Sequence, residues 1–194
     1  MLEELLKSFI TLFVIMDPFG GIPIFISLTK GFREKDRIRN ANSAIGVAAG
    51  LLFIFLFFGV AIFSFFGIST SSFMIAGGII LLVLGVMYVL GITSSRKTGV
   101  KKMDIGSVPI GTPLLTGPGV ITSTIILVQN YGIWIPFIAA ILTLCITWLI
   151  FRYSTAIYKF IGEQGSEILS RVMGIILAAI AVEFIRKGIL GFIG

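Results

Sequence analysis

The chain has 194 residues, of which 57% are hydrophobic and 12% are charged. Its mean hydropathy of +1.09 lies far above that of a soluble domain, so the sequence predicts an integral membrane protein. The absence of His and the single Cys145 exclude an internal disulfide and argue against a zinc site or a Cys–His nucleophile. The net charge of +6 comes from basic residues in short loops between apolar runs. This pattern sets membrane orientation, so we expect no nucleic acid partner, no metal and no cofactor.

Six apolar runs predict six membrane-spanning helices, since a span needs about 20 apolar residues. The runs cover about 5–29, 42–66, 70–93, 108–129, 132–158 and 168–192. Connections between them are short, and no low-complexity segment or hydrophilic domain interrupts the chain. We therefore predict an all-α polytopic membrane protein with residues 1–194 forming a single transmembrane domain. Cys145, in the middle of the fifth run, is expected to pack in the core.

Basic residues predict how these helices are oriented, because loops rich in Lys and Arg stay in the cytoplasm. They cluster in the first loop, the third loop and around the fifth run: Lys30, Arg33, Lys35, Arg37 and Arg39; Arg96, Lys97, Lys101 and Lys102; Arg152, Lys159 and Arg171. The second and fourth loops carry no charge. We therefore expect a cell-membrane protein with basic loops in the cytoplasm and both termini outside. Arg186 and Lys187 depart from this rule, and we expect Glu183, one turn earlier, to pair with them.

Two pairs of similar segments predict an internal repeat. Asp17-Pro18-Phe19-Gly20 in the first run corresponds to Thr116-Gly117-Pro118-Gly119 in the fourth, and Gly78-Ile79-Ile80-Leu81 in the third recurs as Gly174-Ile175-Ile176-Leu177 in the sixth. Because the repeat unit has three helices, its second copy must enter the membrane from the opposite side. We therefore predict two inverted repeats, about 1–93 and 108–194, joined by a cytoplasmic linker at about 94–107. Helices 1 and 4 are expected to be broken.

The two breaks carry the chemistry that the sequence offers. A carboxylate in hydrocarbon is costly, and Pro and Gly free backbone groups that lipid cannot satisfy, so these segments must be buried or line a polar cavity. Proline suits the first turn of a half-helix, whose free N–H groups and positive end attract an anionic group. The carbonyl end of the preceding half-helix suits a cation or an ammonium group. A zwitterion therefore matches a break of this kind.

Each polar residue at the breaks also has a structural interpretation. Asp17 can cap the second half of the first helix, and Pro113 and Pro118 can kink a helix without binding anything. For Thr122, Ser123 and Thr124, hydrogen bonds to preceding carbonyls are the favoured interpretation. For Glu183 the favoured interpretation is an ion pair with Arg186 or Lys187, and the alternative is a second proton site.

Several segments together resemble the MarC family of membrane proteins. They are DPFGGIPIF at 17–25, PLLTGPG at 113–119, FGIS at 66–69 followed by IAGG at 75–78, and SRVMG at 170–174. The likeness covers almost the whole chain in the right order. Archaeal relatives, the SnatA proteins, are described as small neutral amino acid transporters. The resemblance therefore implies uptake or exchange of glycine, alanine and similar solutes, and the substrate class comes from this likeness alone.

We accordingly predict a secondary transporter that works by alternating access, with one repeat rocking against the other around a site between the broken helices 1 and 4. The predicted substrate-binding residues are Asp17, Pro18, Phe19, Gly20, Gly21, Thr116, Gly117, Pro118, Gly119 and Thr122. Glycine N–H groups would hold the substrate carboxylate, and Asp17 and Thr116 the ammonium. Asp17 would also take the coupling ion, a proton or sodium. We expect Gly119→Leu to abolish transport while leaving the protein folded.

Other functions remain open at this stage. An exporter or pore for other small solutes is the main alternative, although few polar residues lie on the spans; a homo-oligomer would allow a pore between subunits. An intramembrane enzyme fits poorly, because the one acid in the first run has no His or metal set beside it. The chain lacks the phosphate-binding fingerprint G-x-x-x-x-G-K-[ST]. An ion gradient, the substrate gradient or a partner must then drive transport.

Overall fold

The structure, a computed structural model, describes residues 1–29, 31–92 and 115–193. These residues form helices and no strand, which confirms the all-α prediction. The helices are α1 (Leu2–Met16), α2 (Pro18–Leu28), α3 (Glu34–Phe66), α4 (Thr70–Val89), α5 (Pro118–Tyr131), α6 (Trp134–Arg152) and α7 (Ser154–Ile193). Five stretches of the described chain are long and apolar enough to cross a membrane: Leu2–Ile26, Glu34–Phe66, Thr70–Val89, Trp134–Arg152 and Gln164–Phe192. Of the predicted fourth span, the structure describes the part from residue 115 onward, which contains α5.

Two helix boundaries differ from the prediction. The second span was predicted to begin near residue 42, but α3 begins at Glu34, so Lys35, Arg37 and Arg39 lie on its first turns and not in a loop. The predicted fifth span, 132–158, is divided, because α6 ends at Arg152 and α7 begins at Ser154. Hydropathy reports burial in lipid, so it cannot detect a helix that continues beyond the hydrocarbon or one that ends and restarts within an apolar stretch.

A sharp bend divides α7 near its start. Gly162 has a left-handed φ of 74° with ψ 176°, so the helical path is interrupted there. The apolar part that follows, Gln164–Phe192, provides the last membrane span. A residue with a side chain rarely adopts such a φ, so this bend depends on glycine.

Part of the core lies between α1, α3 and α6, and the buried surfaces of α3 and α6 include small side chains. Ala44 and Ala48 of α3 and Ala139 and Ala140 of α6 are fully buried, and α6 packs against both α1 and α3. Small residues let membrane helices approach closely without a hydrophobic driving force between them. The expectation that Cys145 packs in this core is wrong, because the residue lies on an exposed face of α6.

The most extensive contact between described helices joins α4 to the last part of α7. A Cβ atom added at Gly85 would lie 2.7 Å from the carbonyl oxygen of Gly174, and one added at Gly174 would lie 2.8 Å from the carbonyl oxygen of Gly85. A Cβ at Gly78 would lie 2.8 Å from the carbonyl oxygen of Ala181. The partner numbers fall as the α4 numbers rise, so the two helices are antiparallel. Glycine at these positions brings the two backbones into direct contact.

The predicted ion pair on α7 is confirmed. Arg186 donates from Nε and Nη2 to the two carboxylate oxygens of Glu183, at 2.8 and 2.7 Å. The Lys187 Nζ lies 3.4 Å from the same carboxylate. The pair is partly exposed and occupies one helix face, as residues three and four positions apart should. Glu183 is therefore bound to cations on its own helix.

The glycine contact between α4 and α7 predicts a strong difference between two conservative substitutions. Gly174→Ala would force a methyl group into the backbone of α4, so we expect the free energy of unfolding to fall by about 1–3 kcal/mol. Gly50→Ala is the matched control, since a Cβ there meets nothing within 4 Å, and its stability should stay equal or rise by up to about 1 kcal/mol. Thermal unfolding in detergent measures both. Equal melting temperatures for the two variants would contradict the close packing.

Candidate functional site

The first span is broken at Asp17, as the sequence predicts. α1 ends at Met16, and Asp17 adopts the left-handed conformation, with φ 44° and ψ 62°. Its N–H donates to the carbonyl oxygen of Phe13 at 3.1 Å, and its own carbonyl accepts from the N–H of Gly21 at 3.2 Å. Pro18 then begins α2, where its missing N–H costs nothing. Among the described residues, Asp17 alone combines a side chain with a positive φ, so one residue specifies the break.

The carboxyl group of Asp17 caps α2. Its Oδ1 accepts a hydrogen bond from the N–H of Gly20 at 3.0 Å, which confirms the capping interpretation. The carboxyl group lies so close over Gly20 that a Cβ atom there would overlap it. Glycine at position 20 is therefore a condition for this cap. In this arrangement the Gly20 N–H is already used by the protein.

The second carboxyl oxygen of Asp17 is left open. Oδ2 is buried and has no hydrogen-bond partner among the described residues, and the whole residue is only 3% exposed. Leaving a buried acceptor unpaired costs about 1–3 kcal/mol, and more for a charged group. An oxygen in this position is suited to bind a proton, a small cation or an ammonium group.

The second predicted break falls just before α5, where the structure describes the residues from 115 onward, and the start of α5 has a different chemistry. Gly117 has an extended backbone, with φ −77° and ψ 178°, and Pro118 lies in the first turn of α5. Thr116 is buried, and its hydroxyl donates to the carbonyl oxygen of Ala48 in α3 at 3.0 Å. Within the described part of the chain no side chain caps α5. Among the described residues the positive end of α5 is therefore uncapped, whereas that of α2 is capped by Asp17.

The hydroxyl groups of α5 bond to their own helix, which confirms the favoured interpretation. Thr122, Ser123 and Thr124 donate to the carbonyl oxygens four residues earlier, at 2.7, 2.8 and 2.7 Å. Thr122 also lies against Gly77 of α4, where an added Cβ would come within 2.7 Å of its Oγ1. These side chains support helix packing and give Thr122 no free donor in this arrangement.

Gly119 is in tight contact with α4. A Cβ atom added there would lie 2.6 Å from both methyl carbons of Leu81, and Leu81 is itself buried. A leucine at position 119 would therefore have to displace Leu81 from the α4–α5 contact. The Gly119→Leu substitution does not separate a loss of transport from a loss of folding.

The break at Asp17 and the start of α5 lie in neighbouring helices, since α1 packs against α5. Pro18, Gly20 and Gly21 are buried beside Asp17, and the ring of Phe19 meets that of Phe13 edge-on at 6.0 Å. Described residues of both predicted groups, 17–21 and 116–122, thus lie in the bundle interior or at its edge. Residues 93–114, which include Pro113, lie outside the described chain.

Hydroxyl groups on α1 and α6 were missed by the sequence analysis. Thr147 of α6 is fully buried, donates to the Thr143 carbonyl at 2.7 Å, and has its Oγ1 3.4 Å from the Met16 sulfur, next to the break. Thr143 Oγ1 and Ser8 Oγ are buried without a partner among the described residues. The spacing of Thr143 and Thr147, four positions apart on one face of an apolar helix, was the available signal.

Three substitutions at Asp17 test what holds the break. Asparagine keeps an acceptor for the Gly20 N–H and tolerates a left-handed backbone; glycine keeps only the backbone freedom, and alanine keeps neither. We expect thermal stability in detergent to fall in the order Asp17→Asn, Asp17→Gly, Asp17→Ala, with about 1–3 kcal/mol between the extremes. All three remove the charge, so its burial does not affect the order. Equal stability of the alanine and asparagine variants would contradict a break specified by residue 17.

Comparison with known proteins places this architecture in a family. Residues 2–193 match the family model of the MarC family integral membrane proteins. A UPF0056 membrane protein of Archaeoglobus fulgidus is 38% identical over 94% of this chain and 90% of its own length. Another from Methanocaldococcus jannaschii is 36% identical over 98% of both chains, and YhcE of Escherichia coli K12 is 35% identical over 95% and 91%. No solved structure matches the chain. Because the family match includes every described helix, the break at Asp17 and the start of α5, the chain belongs to the MarC family of integral membrane proteins.

Proposed function

We propose that the protein is a secondary transporter of small neutral amino acids, with glycine and alanine as expected substrates, across the cytoplasmic membrane. One observation carries the proposal: the carboxyl group of Asp17 is buried at a helix break inside a membrane bundle, with Oδ2 unpartnered among the described residues. Ionisable groups at such depth mark ion and substrate pathways in membrane proteins. The choice of amino acids rests on the resemblance to the SnatA proteins.

The packing of the helices supports the inverted repeat that alternating access would use. α2 packs against α6 and α7, whereas α5 packs against α3 and α4. The predicted repeats pair α2 with α5, α3 with α6, and α4 with α7. Replacing each helix by its counterpart therefore converts the contacts of α2 into those of α5. The offset that aligns Gly78 with Gly174 also aligns Gly85 with Ala181. It therefore maps the contact of Gly174 with Gly85 onto the contact of Gly78 with Ala181. A Cβ added at Gly174 would lie 2.8 Å from the Gly85 oxygen, and one added at Gly78 would lie 2.8 Å from the Ala181 oxygen. A two-fold axis between α4 and α7 would produce this exchange.

The proposed substrate site lies between the break at Asp17 and the start of α5. The uncapped end of α5, at Gly117, Pro118 and Gly119, would hold the substrate carboxylate through backbone N–H groups and the helix dipole. The ammonium group would donate to Asp17 Oδ2 and to the Thr116 hydroxyl, which already uses its own hydrogen on Ala48 and can still accept. Because Asp17 occupies the Gly20 N–H, Gly20 and Gly21 would join the site only after that cap opens.

Asp17 is also the proposed site of the coupling proton or sodium ion. An ionised carboxylate buried without a cation is unfavourable, so binding of a proton, a metal cation or an ammonium group would relieve the same cost. Oδ2 has two lone pairs, so the coupling ion would take one and the substrate ammonium the other, and the two would be carried together. In this proposal the basic ends of the helices face the cytoplasm and both termini face outward, as the distribution of Lys and Arg predicts.

Uptake of labelled alanine and glycine into proteoliposomes tests this function. With an inward proton gradient or an inward sodium gradient imposed separately, we expect saturable, gradient-driven uptake by the wild type and a loss of gradient dependence for Asp17→Asn. Asparagine retains the cap of α2, so the fold should persist in this variant. Saturable uptake that ignores both gradients and the substitution would remove Asp17 from coupling. No uptake of either amino acid, with ion current that does not saturate, would favour the pore.

A further inference from the structure

Arg37 joins three elements at the basic end of the bundle, where α2 ends and α3 and α7 begin. Its Nε and Nη2 donate to the hydroxyl and the carbonyl oxygen of Thr29, each at 3.2 Å. Its Nη1 donates to the Thr155 hydroxyl at 2.6 Å. Arg37 is partly buried, whereas its neighbours Arg33 and Lys35 are exposed. Its position therefore differs from that of the basic residues that mark orientation alone.

The two sets of hydrogen bonds have different consequences. The bonds to Thr29 cap the carbonyl end of α2, where a positive charge is favourable. Because Thr29 and Arg37 are only eight positions apart, capping of α2 is enough to account for these bonds. Thr29 O already accepts from the Phe32 N–H at 3.1 Å. The bond to Thr155 connects residues 118 positions apart and plays no part in capping α2. It ties the predicted first repeat to the predicted second repeat.

A pair of aromatic rings lies one helical turn behind this bond. Phe25 of α2 stacks on Phe151 of α6, with ring centroids 5.1 Å apart and planes inclined by 22°. Their exposures are 0% and 1%. The Thr29 hydroxyl donates to the Phe25 carbonyl at 2.7 Å, so the ring pair and the Arg37 bonds follow each other along α2. Both contacts lie between the break at Asp17 and the basic end.

We propose that the Arg37–Thr155 bond and the Phe25–Phe151 pair form the gate between Asp17 and the basic end of the bundle. This inference rests on the proposed transport function. The gate is closed in this structure, with an apolar layer on the side of Asp17 and a polar layer on the side of water. Opening moves α2 away from α6 and α7, which separates the rings and breaks the bond to Thr155. Arg37 keeps its bonds to Thr29, so α2 and the start of α3 move together.

A thiol reporter behind the gate tests this directly. In a Cys145→Ala background, which removes the only cysteine, Thr147→Cys places a thiol one turn beyond Phe151. A membrane-impermeant thiol reagent is applied to each face of the vesicles, and Lys35→Cys, exposed at the basic end, identifies that face. Modification rates are normalised to the rate in denaturing detergent. Both Thr155→Val, which preserves side-chain volume, and Phe151→Ala should accelerate labelling from the basic face, by about tenfold for loss of the charged hydrogen bond.

Thr70→Val is the matched control at the opposite end of the bundle. It removes another bond between the predicted repeats, from Gln129 Nε2 to Thr70 Oγ1 at 3.3 Å, and labelling from the basic face should keep its rate. The gate is overturned if labelling of the reporter from the basic face has the same rate with and without Thr155→Val or Phe151→Ala, even if amino acid uptake is normal. Accelerated labelling without any uptake of alanine or glycine supports the gate and rejects the proposed substrate. The two proposals can therefore fail separately.

Discussion

The hydrogen bond from the Gly20 N–H to the Asp17 carboxyl group is the interaction on which the interior depends. A chain that crosses a membrane must satisfy its backbone polar groups within the protein. At this break the Asp17 N–H bonds to Phe13, its carbonyl accepts from Gly21, and its Oδ1 accepts from Gly20. A single residue thus ends one helix and begins the next, and its Oδ2 has no partner in the part of the chain that the structure describes. The rest of the bundle keeps lipid away from that oxygen.

The break at Asp17 and the start of α5 are similar in sequence but opposite in polarity. The first carries a carboxyl group that occupies the beginning of its own half-helix, so it presents an acceptor. The second has Gly117 before Pro118 and no side-chain cap within the described chain, so it presents the positive end of α5. In the proposed inverted repeat, a symmetric scaffold would therefore hold an asymmetric site. That asymmetry suits a molecule with a negative and a positive end, which a pair of identical breaks would not.

Local chemistry decided which features the sequence could predict. The features that the sequence could predict are determined by residues a few positions apart. They are Asp-Pro at 17–18, Gly-Pro at 117–118 and the spacing of Glu183 and Arg186. The exposure of Cys145, the inward hydroxyls of α6 and the role of Arg37 depend on which helix lies opposite. When a helix is apolar on all faces, hydropathy cannot distinguish lipid from a neighbouring helix. For that reason Arg37 looked like an orientation signal, although its guanidinium contacts Thr155, far away in the chain.

The contact between α4 and α7 restricts how such a bundle can move. These helices belong to different predicted repeats, yet their backbones touch through Gly85 and Gly174. Sliding one repeat past the other would break the most extensive helix contact in the described chain. Rotation of one repeat about the α4–α7 pair would preserve the contact between these two helices and would separate contacts that lie farther from them. The ring pair of Phe25 and Phe151 and the bond from Arg37 are contacts of that separable kind, since neither interlocks two backbones. The proposed rocking would then be a hinge along α4 and α7, with α2 moving away from α6 and from the start of α7.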